Sequence, residues 1–124
     1  MAYRMFPLQR FLSSLVPELA VGDRSFSVVV ITDRMMRSYN LRYRGLDKAT
    51  DVLSFRGDRE YLGDILISSE TAYNQARESI TLSFEANIRR LILHGLLHLM
   101  GYDHETDNGE MRVIERRLRR RFRC

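Results

Sequence analysis

The apolar positions of this chain recur with two different periods. Leu8, Phe11, Leu12, Leu15, Val16 and Leu19 fall three and four apart, the spacing of one helix face, and Pro7 sits where a first helical turn tolerates a missing N–H. Residues 26–31 are rich in β-branched side chains, which favours a buried strand. Helical spacing returns with Met35, Met36, Tyr39 and Leu41 behind Asp33, a residue type that caps helices, and residues 42–46 end that helix.

The second half repeats the alternation of elements. Residues 47–55 read as a polar turn feeding a short strand, a glycine turn follows over 56–59, and 62–68 is β-rich in its second half. That connection is too short for a crossover helix, so the two strands are predicted to be antiparallel neighbours. Ser68 or Ser69 would cap a polar helix through Arg77. Thr81 or Ser83 would cap a longer one with Phe84, Ile88, Leu91 and Ile92 on its buried side. Thr106 or Asp107 would start a last helix, apolar at Met111, Ile114, Leu118 and Phe122 and arginine-rich elsewhere, expected as a solvated face with a frayed tail, with contact to RNA phosphates as the lesser alternative. The order predicts an α+β fold: one domain over residues 1–124, a small mixed β-sheet with helices packed on it, and a buried helix carrying a His-x-x-x-His pair.

Composition narrows the picture. The chain has 124 residues, 44% hydrophobic and 29% charged, enough for one core. It carries a net charge of +4, and of its 20 basic residues only Lys48 is not arginine. Arginine's planar fork pairs bidentately with phosphate, so a nucleic-acid partner is permitted, although a compositional bias of the genome would leave the same mark. The one cysteine, Cys124, has no intramolecular partner for a disulfide, which fits a reducing cytoplasmic setting. No apolar run approaches the eighteen or so residues of a membrane span. A faintly signal-like stretch at 10–20 is interrupted by Ser13, Ser14, Pro17 and Glu18, so no membrane partner is expected.

The chemistry concentrates in residues 94–104, which hold all three histidines. His94 and His98 stand four apart, on one face of a helix about one turn from each other. Gly101 supplies the left-handed conformation that ends a helix, and a turn through Tyr102 and Asp103 can return His104 toward the first two rings. Three histidines at this spacing favour a metal site over the alternative of core histidines bonded to carbonyls with His104 on a surface loop. Three protein ligands also leave a position for water or substrate, as catalytic zinc sites do. The metzincin proteases share the spacing in H-E-x-x-H-x-x-G-x-x-H, but Gly95 stands where their glutamate base does, which argues against a metallopeptidase. Asp103 is a candidate to orient a metal ligand through a hydrogen bond, and neither it nor Glu105 is an obvious general base.

The stretch from His94 to His104 resembles the H-G-x-L-H-L-x-G-Y-D-H signature of the YbeY family of bacterial rRNA-maturation endoribonucleases. Residues 43–55, running Tyr-Arg-Gly-Leu-Asp-Lys-Ala-Thr-Asp-Val-Leu-Ser-Phe, resemble that family's Y-R-x-x-D-x-x-T-D-V-L-S-F block, and residues 63–65 its G-D-I strand. The resemblance implies a zinc-dependent endoribonuclease that prefers single strands and acts in rRNA maturation and ribosome quality control, with ribosomal particles or a ribosomal protein as partners. It implies one Zn2+ held by His94, His98 and His104, and Arg44 as the arginine of the active cleft. For Arg44 an ion pair with Asp47 or Asp51 is the competing reading. For the chain as a whole, a non-catalytic ribosome-assembly factor with a structural metal is the alternative. The chain departs from the family pattern at Arg56, where proline often follows the Ser-Phe pair, and in a shorter connection between Phe55 and Gly63.

Overall fold

The computed structural model describes residues 6–102 and 108–124. In chain order it forms α1 (Phe6–Leu15), a 3-10 turn (Val16–Glu18), β1 (Ser25–Ile31), α2 (Asp33–Arg44), β2 (Val52–Arg56), β3 (Tyr61–Ser68), α3 (Ser69–Glu78), α4 (Phe84–Leu99) and α5 (Glu110–Phe122). The first helix stops at Leu15, short of the expected Leu19. Pro17 lacks an N–H and its ring opposes a continuing α-helix, so the chain tightens into the 3-10 turn instead. Val16 and Leu19 still pack on the core.

The three strands make a mixed sheet in the order β1-β3-β2. β2 and β3 are antiparallel as the short connection requires, with Leu53 opposite Leu66 and Phe55 opposite Asp64. β1 lies parallel to β3 on its other side, with α2 in the crossover between β1 and β2. Alternation then divides the side chains between two faces. Val28, Val52, Ile65 and Ile67 point into the main core, where α4 contributes Ile88, Leu91, Ile92 and Leu96. Ile31, Leu53 and Leu66 point the other way and are covered by Met36 and Tyr39 of α2. α4 and α2 therefore sandwich the sheet.

Capping corrects one expectation and settles two choices. Thr32, not Asp33, caps α2: its Oγ1 accepts from the Met35 N–H at 3.2 Å. The Asp33 carboxylate accepts instead from the hydroxyls of Ser68 and Thr71, tying the start of α2 to the start of α3. Ser68 caps α3 and Ser83 caps α4, whose Ala86 N–H donates to Ser83 at 3.1 Å. Thr106 and Asp107 lie outside the described residues, and the residue before α5 is Gly109. The arginine-rich tail is not frayed. It stays helical through Phe122 and ends on a left-handed Arg123, with the Cys124 N–H donating to the Arg119 carbonyl at 2.9 Å.

Candidate metal centre

α4 is almost wholly buried, yet His94 and His98 are its half-buried positions toward the C-terminal end. The helix places their rings edge to face, with centroids 4.6 Å apart and an interplanar angle of 77°. Their Nε2 atoms approach to 3.1 Å. His94 is held from behind as well: its Nδ1 lies 2.9 Å from Oε2 of Glu115 on α5. A carboxylate can only accept, so the His94 Nδ1–H donates, and in the neutral ring Nε2 is then the nitrogen that carries the lone pair, on the side of His98. Two imidazoles offering Nε2 to one point, one of them backed by a carboxylate, match the way proteins orient metal-binding histidines. Zn–N bonds of about 2.0–2.1 Å reach a shared point across a separation of this size. The donor pair thus fits a zinc-like ion. Among the described residues no set of three His, Cys, Asp or Glu side chains forms an ion site. His104, expected as third ligand, and Asp103, expected as the orienting group, lie outside the described residues.

Two features fix α4 in this position. The helix closes with a Schellman turn, in which the Gly101 N–H donates to the His98 carbonyl at 3.0 Å and the Tyr102 N–H to the Leu97 carbonyl at 3.1 Å. Gly101 takes φ +99°, the backbone state expected of it from the sequence. Midway, Gly95 lets the helix approach the sheet closely enough for Ser54 Oγ to donate to the Gly95 carbonyl at 3.1 Å. The residue that distinguishes this motif from the metzincin one therefore also sets the helix-to-sheet distance.

Arg44 lies exposed in the last turn of α2, on the other side of the sheet from α4. No described contact joins it to His94 or His98. The competing ion pairs are not formed either: Asp47 takes a two-pronged bond from Arg37 at 2.7 and 3.0 Å, and Asp51 accepts from Val52, Thr50 and Gln75. Arg37 holds the Asp47 carboxyl below the usual carboxylate range. At the end of β2 the two helices converge on neighbouring residues. Tyr43 packs its ring 5.0 Å from that of Phe55, and from the opposite face the Arg56 guanidinium reaches the His98 carbonyl at 3.5 Å. The C-terminal ends of α2 and α4 thus flank the same edge of the sheet. Sequence reasoning misses Glu115, Ser54 and Arg56 as parts of this site. Glu115 had a readable signal: it is an acid beside the apolar stripe Met111, Ile114 and Leu118, on a helix otherwise dominated by arginine.

An α+β sheet carrying a carboxylate-backed histidine pair on its packing helix defines a candidate hydrolytic metal centre. The family described as Endoribonuclease YbeY matches residues 7–123, and this chain belongs to the YbeY family. Similar curated proteins carry the same description. One from Nitratiruptor is 43% identical over 99 residues, covering 77% of this chain and 68% of its own length. Another from Thermus thermophilus is 43% identical over 121 residues, covering 90% and 86%. A solution structure of a Thermotoga maritima protein superposes with a TM-score of 0.67 at 29% identity, over 91% of this chain and 77% of that one.

Proposed function

We propose that this chain is a zinc-dependent endoribonuclease that cuts single-stranded ribosomal RNA in the course of rRNA maturation, working among ribosomal particles in the cytoplasm. The observation that carries the reading is the His94–His98 pair with Nε2 atoms 3.1 Å apart, backed at Nδ1 by Glu115. His94 and His98, with His104 as third ligand, would hold the ion. When bound, zinc supplies Lewis acidity toward a phosphate oxygen and brings the pKa of a coordinated water toward neutrality. The chain's own residues do the rest. Glu115 fixes the His94 ring and its proton on Nδ1, keeping the other nitrogen available. Arg44 is assigned to the phosphate, where a planar guanidinium binds two oxygens and offsets charge developing during cleavage. Its exposure and the absence of an ion pair to Asp47 or Asp51 support that role, as does the shared sheet edge below Tyr43 and Arg56. No helix among the described residues is long and apolar enough to cross a membrane.

The test is cleavage of a single-stranded rRNA fragment by wild type, His98→Ala and Arg44→Ala, with metal content and circular dichroism recorded on the same samples. The expected result is loss of activity in both variants with the fold retained, and loss of metal from His98→Ala alone. Equal cleavage by all three would overturn the reading. A His98→Ala protein that unfolds would point to a structural metal in an assembly factor.

A further inference from the structure

α5, the helix that carries Glu115, presents a surface dense in arginine. Met111, Ile114, Leu118 and Phe122 turn one side of this helix into the core. Arg112, Arg116, Arg119 and Arg120 of the helix, with Arg123 at its C-cap, follow at spacings of four, three, one and three beside that apolar side, the Arg119 Nε donating to the Cys124 carbonyl at 3.0 Å. They form one wall of an open groove of about 490 Å³, whose other lip includes Thr81 just before α4. From Arg112 to Arg123 this wall is about 16 Å long at the rise of an α-helix. Glu115 is the acidic residue in the lining, and its Oε2 is engaged by His94. Among the described residues the arginine ion pair on this helix joins Arg121 to Glu18 at 2.8 Å, and Arg121 lies outside the groove lining. One carboxylate and one imidazole separate the groove wall from the nitrogen that faces His98.

We propose that this groove is a phosphate-binding track for the backbone of single-stranded RNA, holding the strand beside the histidine pair. The assignment rests on the nuclease reading for the nature of the strand, and on charge complementarity for the site. Guanidinium groups repeated along a rigid helix suit a polymer of phosphates, and the link through Glu115 runs the track to the reaction centre rather than to a remote face. The contacts are to backbone, so they hold RNA without selecting its sequence.

The experiment measures binding of a labelled single-stranded RNA in chelator, across a salt series, for wild type and Arg116→Ala/Arg120→Ala/Arg123→Ala, with cleavage followed separately in zinc. Each arginine that neutralises a phosphate of a single strand adds about 0.7 to the slope of log K against log salt, so removing three should lower that slope by about 2. Wild type then loses about twentyfold more affinity than the variant between about 50 and 200 mM salt. The cleavage rate at saturating RNA stays at the wild-type value while KM rises. Changing the same three positions to lysine keeps the charge and should keep the slope, which guards against misfolding of the alanine protein. Arg34→Gln/Arg59→Gln/Arg77→Gln removes equal charge elsewhere and should also keep it. An unchanged slope in the alanine variant, or an equal drop in the glutamine control, overturns the proposal. So does displacement of RNA by oligo-glutamate as effective as by unlabelled RNA, because that outcome describes a site for acidic protein. A protein that cuts no RNA overturns the nuclease reading alone, since the slope is read without cleavage.

Discussion

A β-carbon built on Gly95 would stand 2.8 Å from Cγ2 of Ile65, closer than packed atoms come, and a tight 3.0 Å from Oγ of Ser54. Glycine at this position is a spacing requirement. In an exposed helix, Gly→Ala would stabilise by about 1 kcal/mol through propensity. Here overpacking against the sheet costs about 1–3 kcal/mol, so Gly95→Ala should destabilise by about 1 kcal/mol net, read as a lower urea midpoint. A midpoint at or above wild type would mean that α4 can shift away from β3 without penalty. Gly95→Glu, the metzincin residue, should not fold.

Glu115 would act on the proposed metal site through the His94 ring it holds at 2.9 Å. Removing a carboxylate that orients a ligating histidine weakens metal binding by about 10–100-fold. Glu115→Ala should therefore lower zinc affinity by that factor in a chelator competition, with the helical circular dichroism signal preserved. Glu115→Gln, which still offers an oxygen, should lose less. An affinity unchanged in both variants would separate Glu115 from the site.

Asp64 lies at the β1–β3 seam, where the hydroxyls of Ser27 and Tyr61 both donate to its carboxylate. Those two bonds hold its pKa below the ordinary value, the Ser27 bond contributing most. A depressed carboxylate stabilises the fold fully above its unfolded pKa of about 3.9, and that contribution disappears as pH falls through the folded value. The urea midpoint of wild type should exceed that of Asp64→Asn at pH 6, and the gap should close below about pH 4. A gap that persists unchanged at low pH would show that the carboxylate charge is not what the seam uses.

Asn87 is fully buried where α3 meets α4. Its amide donates to the Ala72 carbonyl at 2.9 Å and to Gln75 at 3.0 Å, and its oxygen accepts from Arg90 at 2.9 Å. Asn87→Ala removes all three, at a cost of about 1–3 kcal/mol. Thermal unfolding should report that loss without a change in zinc affinity, because the histidines lie further along α4.

Most of the architecture follows from patterns that act locally. The period of Ile88, Leu91 and Ile92 marks α4, the β-branched run marks β1, and Ser83 and Gly101 mark the two ends of the histidine helix, because capping and left-handed turns need particular residues at particular places. The mixed sheet was expected, but that β1 pairs with β3 and not with β2 was not legible, since it depends on how α2 crosses the sheet. Thr32 displaced Asp33 as the cap of α2 because the Asp33 carboxylate had partners on α3. In the site, the histidine pair could be read from spacing within one helix. Glu115 could not be assigned to His94 that way: they are 21 residues apart and meet only because α5 docks on α4.

That docking has a consequence for timing. Both imidazoles are carried by α4, whereas the carboxylate that orients one of them is carried by α5, the last described element. A ribosome makes the imidazoles first. The two imidazoles are joined to the chain before the carboxylate is, and His94 meets Glu115 only once the arginine helix has been synthesised and laid against α4.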